Sequence, residues 1–279
     1  MLVEKITSRQ NPLVKRFRRV RAGTERAHAL VEGVRLVEEA IAADVHFETV
    51  AFTSALETAE RGAALLHALR NVPCRGALVS KQVMEAITDT EAPQGVAAIV
   101  SRPYCTLDDL FARKPELLVI ADGLQDPGNL GTIIRTAEAA GAAGVITTQH
   151  TVDPLNQKAM RASMGAVLRL PVVTGRSRRE MVKLCRKHGL RIVGTKTRQS
   201  TINETKTEVY TEADLTSPFA LFLGSEGGGL SEPALLEADL FIHIPMADRV
   251  ESLNVATAAA ILLYETARQR GFSFNTGRD

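Results

Sequence analysis

The stretch Leu117-Leu118-Val119-Ile120-Ala121 is an uninterrupted apolar run. Such runs are typical of strands in parallel sheets, because helices cover both faces of the sheet and every side chain is buried. Similar short runs follow along the chain with helical patterns between them, and a last helix is predicted over residues 254–270. The further strands are predicted at residues 144–147, 170–173, 191–195, 219–223 and 241–244. This alternation predicts an α/β domain with a mostly parallel sheet over residues 116–279.

The first hundred residues show a separate alternation of strands and helices. Strands are predicted at residues 28–32, 49–53 and 96–100, and helices at residues 11–21, 34–43 and 59–69. Ser101-Arg102-Pro103 then interrupts the pattern. We therefore predict a small α/β domain over residues 1–102 and a linker over residues 103–115 with one short helix at 107–112.

Composition excludes several classes of protein. The three cysteines are widely separated, and the six histidines form no His-Glu-x-x-His pattern, so neither a disulfide scaffold nor a zinc or other metal site is expected. No apolar run approaches the ~18 residues of a membrane span. The charged N-terminus lacks the apolar segment of a signal peptide, so we expect a cytoplasmic protein.

Positive charge is concentrated at the start of the chain. Residues 1–35 hold nine Lys or Arg and three Asp or Glu, although the whole chain has a net charge of only +2. A second basic stretch lies at residues 176–191. Basic patches attract polyanions through counterion release, which suggests nucleic acid, whereas a solvated helix face is the ordinary alternative. Because aromatic residues make up only 4% of the chain, an RNA surface here would depend more on charge than on stacking.

Glycine-rich segments follow two of the predicted strands. Gly123 and Gly128 have the spacing of a phosphate-binding loop, but Asn129-Leu130 replaces its Lys-Ser/Thr pair, which excludes an NTPase. No Gly-x-Gly-x-x-Gly follows a strand, so a dinucleotide-binding fold has no support. Gly224 and the glycines at 227–229 directly follow the strand at 219–223. They form either an ordinary tight turn or a loop on which a ligand lies close to the backbone.

Polar residues begin two of the predicted helices. Asn129 precedes an apolar helical stripe, with Arg135 on the opposite side, and Ser252 and Asn254 precede the last helix. The simplest interpretation makes Asn129, Ser252 and Asn254 helix caps and pairs Arg135 with Glu138 at i+3.

Three ordered segments resemble the motifs of a known family. Asn129-x-Gly131-x-x-x-Arg135, Gly224-Ser225-Glu226-Gly227-x-Gly229-Leu230, and Ile244-Pro245-Met246 followed by Ser252-Leu253-Asn254 are similar to the motifs of the SpoU/TrmH family of 2′-O-ribose RNA methyltransferases, of the SPOUT class. The resemblance covers residues 117–271. Glu32-Gly33-x-Arg35 also resembles the start of the family's small substrate-binding domain, which has a ribosomal-protein-like fold.

This resemblance implies a fold, a cofactor and partners. It implies a C-terminal SPOUT domain with a trefoil knot, an exception to the usual absence of knots, together with S-adenosylmethionine as methyl donor and a homodimer formed through that domain. By position, the cofactor would be held by Gly224, Ile244 and Leu253, with Thr195 and Met246 nearby. RNA would be held by the basic N-terminal residues, and the contacts expected there are Lys15, Arg16, Arg18, Arg19 and Arg35.

The resemblance also implies catalytic residues. Arg135 would act either as the base or as a group that grips the neighbouring phosphate and stabilises the forming alkoxide; the second role suits a side chain whose pKa is above about 12. Asn129, Glu226, Ser252 and Asn254 would orient Arg135 and the ribose. The expected substrate is structured RNA, ribosomal rather than transfer RNA, and the alternatives are a tRNA enzyme, a non-catalytic RNA-binding protein on the same fold, and base methylation.

Overall fold

The computed structural model describes residues 3–196, 207–225, 237–247 and 249–273. Its internal contacts divide the chain into two compact units, which we call the N-terminal unit (residues 1–103) and the C-terminal unit (residues 104–279). None of the helices in the described ranges is both long enough and apolar enough to cross a bilayer.

The N-terminal unit is built around a five-stranded mixed sheet. Its strand order is β1-β4-β3-β5-β2, in which β1, β4 and β3 run parallel to one another and β5 pairs antiparallel with β3 and β2. The elements are β1 Val3–Ile6, α1 Pro12–Arg21, β2 His28–Glu32, α2 Val34–Ala42, β3 Phe47–Phe52, α3 Ala55–Thr58, α4 Glu60–Leu69, β4 Arg75–Val79, α5 Lys81–Ile87 and β5 Val96–Ser101.

Helix α1 shows how the local sequence places the basic residues. The Asn11 side chain caps its start by accepting from Leu13 N, and a proline occupies the first helical position, where no N–H is needed. Val14, Phe17 and Val20 form the buried stripe and join the core of the N-terminal unit. The basic residues between them consequently face away from the core.

The C-terminal unit is built around a seven-stranded parallel sheet. Its strand order is β10-β12-β9-β11-β6-β7-β8, and every observed pairing is parallel, which confirms the α/β fold with a mostly parallel sheet. The elements are α6 Leu107–Ala112, β6 Leu117–Ala121, α7 Pro127–Ala139, β7 Gly144–Thr148, α8 Gln157–Ser163, α9 Ala166–Arg169, β8 Val172–Arg176, α10 Arg178–Lys187, β9 Arg191–Thr195, β10 Thr207–Val209, β11 Phe219–Leu223, β12 Leu240–His243 and α11 Val255–Gln269.

Several details differ from the expectation. Strands β1, β4 and β10 and helices α3 and α5 were not anticipated from the sequence. The segment at 103–115, expected as a linker, contains the predicted short helix, and Leu107, Leu110 and Phe111 of that helix lie in the core of the C-terminal unit. The trefoil knot stays a prediction, because residues 197–206 and 226–236 lie outside the described ranges.

Parallel strands end at one edge of the sheet. The last residues of β6, β9, β11 and β12 therefore share this carboxyl edge, and the loops to α7 and α11 leave from it. In open α/β sheets, this edge is where ligands bind.

Candidate active site

Three of the expected cofactor residues lie at the ends of adjacent strands. The order β12-β9-β11 brings together Ile244, which follows β12, Thr195, which ends β9, and Gly224, which follows β11. Thr195 pairs in register with Ile242, and its hydroxyl donates to the carbonyl of Phe222 at 3.3 Å. The pairing of β9 with both neighbours thus fixes the positions of all three residues.

The loop from β12 to α11 carries the other expected cofactor residues. Ile244, Met246 and Leu253 are half-buried, whereas Ser252 is exposed. A purine ring and an aliphatic chain suit such partly covered apolar side chains, and the backbone groups of strand ends suit polar edges. These residues therefore fit S-adenosylmethionine, and among the described residues no cluster of His, Cys, Asp or Glu could hold a metal ion.

Asn254 connects the starts of two helices that are far apart in sequence. Its Oδ1 caps α11 by accepting from Ala256 N at 2.9 Å and from Thr257 N at 3.2 Å. Its Nδ2 donates to Oδ1 of Asn129 at 3.0 Å. Because the cap fixes the orientation of the Asn254 amide, Asn129 must accept with its oxygen and present its Nδ2 as a donor. The structure thus joins the first and third sequence motifs in one hydrogen bond.

Arg135 is exposed on α7 and available to a ligand. The pair with Glu138 that sequence spacing suggested does not form, because Glu138 accepts instead from Nε and Nη2 of Arg169, both at 2.7 Å. Arg135 makes no hydrogen bond or ion pair with any residue in the described ranges. It lies six residues beyond Asn129, or about 9 Å along the helix axis, so it does not contact the asparagine pair.

Asp126 fixes the start of α7. Its carboxylate accepts from Asn129 N at 2.9 Å and from Lys158 Nζ at 2.6 Å. The Lys158 ammonium, followed by the Asn129 N–H, holds the pKa of Asp126 below its usual range. Neither role was assigned from the sequence, although Asp followed by Pro is a recognisable helix start.

A buried polar network holds the loop that leads into α7. Asp122, at the end of β6, accepts from the Thr148 hydroxyl at 2.7 Å and from Arg178 Nε at 2.9 Å. The Gly123 N–H donates to the hydroxyls of Thr148 and Thr151. This network was not predictable from local sequence patterns because its members come from three distant segments.

Gly131 in the first motif serves packing. A Cβ at this position would lie 2.2 Å from the backbone oxygen of Ala159 in α8, closer than any real contact. Only glycine therefore allows α7 and α8 to approach as they do.

One expected site residue, Glu226, lies outside the described residues together with the glycines at 227–229. Its orienting role therefore stays a prediction.

The basic residues of α1 divide into two groups. Lys15, Arg18 and Arg19 are exposed, as is Arg35 on α2. Arg16 is half-buried and donates to the carboxylates of both Glu25 and Glu48. Together these four hydrogen bonds engage the guanidinium of Arg16. Arg16 therefore stabilises the N-terminal unit, and it is no longer expected to contact RNA.

Sequence comparison places both units among known proteins. The sequence model of the SpoU rRNA Methylase family matches residues 116–264, more than half of the chain. The chain belongs to this family. A second model, that of the MRM3-like substrate binding domain, matches residues 4–98.

Individual relatives extend over nearly the whole chain. The 23S rRNA (guanosine(2553)-2′-O)-methyltransferase RlmP of Bacillus subtilis is 34% identical over 272 residues, covering 94% of this chain and 98% of that protein. The AdoMet complex of the SpoU methyltransferase AviRb from Streptomyces viridochromogenes has a TM-score of 0.82 at 30% identity, covering 95% of this chain and 100% of that one. The AdoMet-bound rRNA methyltransferase from Sinorhizobium meliloti gives a TM-score of 0.79 at 32% identity, with 95% and 98% covered. The family resemblance read from the three motifs is confirmed.

Proposed function

We propose that this SpoU-family protein methylates ribose 2′-hydroxyl groups of structured RNA, with S-adenosylmethionine as methyl donor. The observation that carries the proposal is the hydrogen bond between Asn129 and Asn254, which joins two family motifs at the carboxyl edge of the sheet. The relatives named for 2′-O-methylation and the AdoMet-bound neighbours support it.

The cofactor residues are assigned from their places at this edge. Thr195, Gly224 and Ile244 at the strand ends, with Met246 and Leu253 in the following loop, hold the cofactor largely through backbone groups. When bound, S-adenosylmethionine supplies a strongly electrophilic methyl group. The protein is then left with two tasks: to align the 2′-hydroxyl with that methyl group and to help the hydroxyl lose its proton.

Asn129 and Asn254 orient the ribose. The fixed amide of Asn254 directs the Nδ2 donor of Asn129, and a donor of fixed direction suits a hydroxyl oxygen that gains negative charge. Ser252, which is exposed and lies two residues before Asn254, adds a hydroxyl, and Glu226 completes the orienting group.

Arg135 grips the phosphate next to the target ribose and stabilises the forming alkoxide. Its guanidinium is a planar fork of N–H donors that matches a phosphate and has no acceptor atom for a proton, so the proposed role is not that of the base. The proton of the 2′-hydroxyl leaves to phosphate or water. Arg135 is exposed, and Glu138 pairs with Arg169 instead of with Arg135. Both observations support this role.

The N-terminal unit binds the RNA substrate through Lys15, Arg18, Arg19 and Arg35, whose exposure and charge support this assignment. We propose ribosomal RNA as the substrate, since relatives with both units act on 23S rRNA by name. Residues 1–102 would thus form the RNA-binding domain and residues 116–279 the methyltransferase domain.

We further propose that the protein is a cytoplasmic homodimer formed through the C-terminal unit. Val250 and Tyr264, large apolar side chains that are 47% and 48% exposed, support a contact there. Light scattering on the purified protein tests this: a mass of twice 30.2 kDa is expected, and a monomeric mass would contradict it.

Incubation of the purified protein with methyl-labelled S-adenosylmethionine and undermodified ribosomal RNA tests the reaction. Ribose methylation leaves the label in alkali-resistant dinucleotides, whereas base methylation leaves it in ordinary mononucleotides. Label in transfer RNA alone would favour a tRNA enzyme. Absence of label in both ribosomal and transfer RNA would favour the non-catalytic RNA-binding alternative.

A further inference from the structure

The N-terminal unit contains a cleft to which no ligand has been assigned, although Arg35 of its lining is one of the proposed RNA contacts. It has a volume of about 900 Å³ and lies between the start of α2, the α3–α4 segment and the start of α5. Ligand pockets typically range from about 300 to 1,000 Å³, so this cleft is large enough for a nucleotide.

The floor of the cleft is apolar. Val34, Ala55, Ala59 and Pro93, which are half-buried or exposed, line it together with the buried Leu56, Val79 and Met84. Gly95 also lines it, with φ of 81°, and a Cβ there would lie 2.6 Å from the Thr53 hydroxyl. The backbone therefore requires glycine at this position.

The rim of the cleft is basic. Arg35, Arg61 and Lys81 line it together with a single carboxylate, Glu85. Arg61 donates to Glu38, whereas Arg35 and Lys81 form no ion pair with any described residue. Two exposed cations thus flank an apolar floor, an arrangement that suits a flat apolar ring joined to phosphates.

We propose that this cleft receives an unpaired nucleotide of the RNA substrate, with its base on this apolar floor and its phosphates against Arg35 and Lys81. This inference rests on the proposed function and defines how the substrate is recognised. Bases in a duplex are stacked and cannot enter a cleft, whereas bases in loops and bulges are open to side chains. The protein would therefore prefer RNA with unpaired nucleotides over a plain duplex.

Filling the cleft tests the inference directly. Ala59→Trp and Ser54→Trp each place a large ring at an exposed residue of the lining and remove no charge. Fluorescence anisotropy would measure the affinity of the full-length protein for a labelled RNA hairpin with a seven-nucleotide loop, and for a blunt duplex with the same number of phosphates. The wild-type protein is expected to prefer the hairpin by about tenfold, which corresponds to burial of roughly 60 Å² of apolar surface of one base. Both variants are expected to bind the two RNAs equally.

Matched variants separate the cleft from general effects. Ala63→Trp adds the same ring at an exposed residue of α4 outside the lining and is expected to keep the preference. Lys81→Gln is expected to reduce the salt dependence of binding, the slope of log K against log[salt], by about 0.7 for one lost phosphate contact to a single strand. Lys5→Gln removes equal charge elsewhere in this unit and is expected to change that slope less.

Two results would overturn the inference: equal affinity of the wild-type protein for both RNAs, or an intact preference in a cleft-filling variant that melts like the wild type. If both filling variants fail to fold, the salt slopes of the two charge variants decide whether the inference stands. S-adenosylmethionine binding and methyl transfer, measured on the same proteins, report on the proposed function separately. A wild-type protein without methyl transfer but with a cleft-dependent preference would refute the reaction and leave the cleft assignment standing.

Discussion

At the scale of single residues, the site depends on the orientation of two side-chain amides. Asn254 both caps α11 and donates to Asn129, so its helix-capping role and its site role are compatible. Sequence motifs were enough to select these two asparagines. They could not show that Glu138 pairs with Arg169 or that Lys158 pairs with Asp126, because each partner is more than thirty residues away along the chain. Local spacing predicts an i+3 pair, but tertiary packing decides which partner is present.

Replacement of Asn254 separates its two roles. Asn254→Ser keeps a capping oxygen but is too short to reach Asn129, so kcat is expected to fall at least tenfold with little change in Tm. Asn254→Ala loses both functions, and its stability is expected to fall by about 1 kcal/mol as well. Thermal melting and methyl transfer with labelled cofactor measure the two effects. Wild-type kcat in Asn254→Ser would exclude the orienting role.

Arg135→Lys tests whether the guanidinium shape matters. Lysine keeps the charge but lacks the planar fork, so kcat is expected to fall about 10²-fold, while Tm stays unchanged because the side chain is exposed. Arg179→Lys, at an exposed position of α10, is the matched control and should retain full activity. Near-normal methyl transfer by Arg135→Lys would count against both the base role and the phosphate-gripping role.

At the scale of secondary structure elements, burial on both faces made the central strands predictable. β6 and β11 are continuous apolar runs, and β9 has a buried centre at residues 192–194; the predicted bounds of all three strands match the structure. β1 was missed because three of its four residues are exposed, and β10 because it is only three residues long. β8 begins at Val172, since the preceding Pro171 has no N–H to donate to the ladder.

The close packing of α7 on α8 depends on Gly131. Gly131→Ala would force its Cβ against the Ala159 backbone oxygen, and we expect the C-terminal unit to lose about 1–3 kcal/mol of stability. Thermal melting measures the loss. Adding Ala162→Gly should not restore stability, because the clash with the Ala159 backbone remains. Full rescue by that second substitution would show that the side chain of Ala162, not the α8 backbone, limits the approach.

The ion pairs around α1 predict a dependence of stability on pH. Hydrogen bonding from Arg16 lowers the pKa of Glu48, so its contribution is present above the unfolded-state pKa of about 4.5 and is lost as pH falls through the lower folded-state value. His28 Nε2 also lies 2.9 Å from Glu48.

The corresponding test is Glu48→Gln. At pH 7 we expect the variant to be less stable by about 1 kcal/mol, a figure discounted because the carboxylate is one-third exposed. The difference in stability between Glu48→Gln and the wild-type protein should become steadily smaller in thermal melts at lower pH. A difference in Tm that does not depend on pH would argue against an electrostatic origin.

At the scale of the whole molecule, each unit has its own hydrophobic core. One core contains Phe17, Leu30 and Ile99, and the other contains Leu118, Phe222 and Phe241. Composition alone did not separate the two cores. The interruption of the strand and helix pattern at Ser101-Arg102-Pro103 predicted the boundary between them. The basic start of the chain predicted an RNA-binding role for the N-terminal unit, but the sequence did not reveal the cleft, because its lining comes from several separate segments.

Separate cores predict that residues 104–279 fold without the rest of the chain. The fragment is expected to melt cooperatively and to bind S-adenosylmethionine as tightly as the full-length protein, while its affinity for ribosomal RNA falls at least tenfold. Calorimetry for the cofactor and filter binding for RNA measure these quantities. Loss of cofactor binding in a folded fragment would contradict the division of labour between the two units.

The contact between Asn129 and Asn254 spans 125 residues of sequence, and α11 is the last helix described. During synthesis, which proceeds from the N-terminus and generally allows domains to fold as they emerge, the N-terminal unit is complete long before α11 is made. Under the proposed function, a nascent chain would acquire affinity for RNA well before its asparagine pair can form. The order of the two units along the gene would then delay catalysis until α11 has been made.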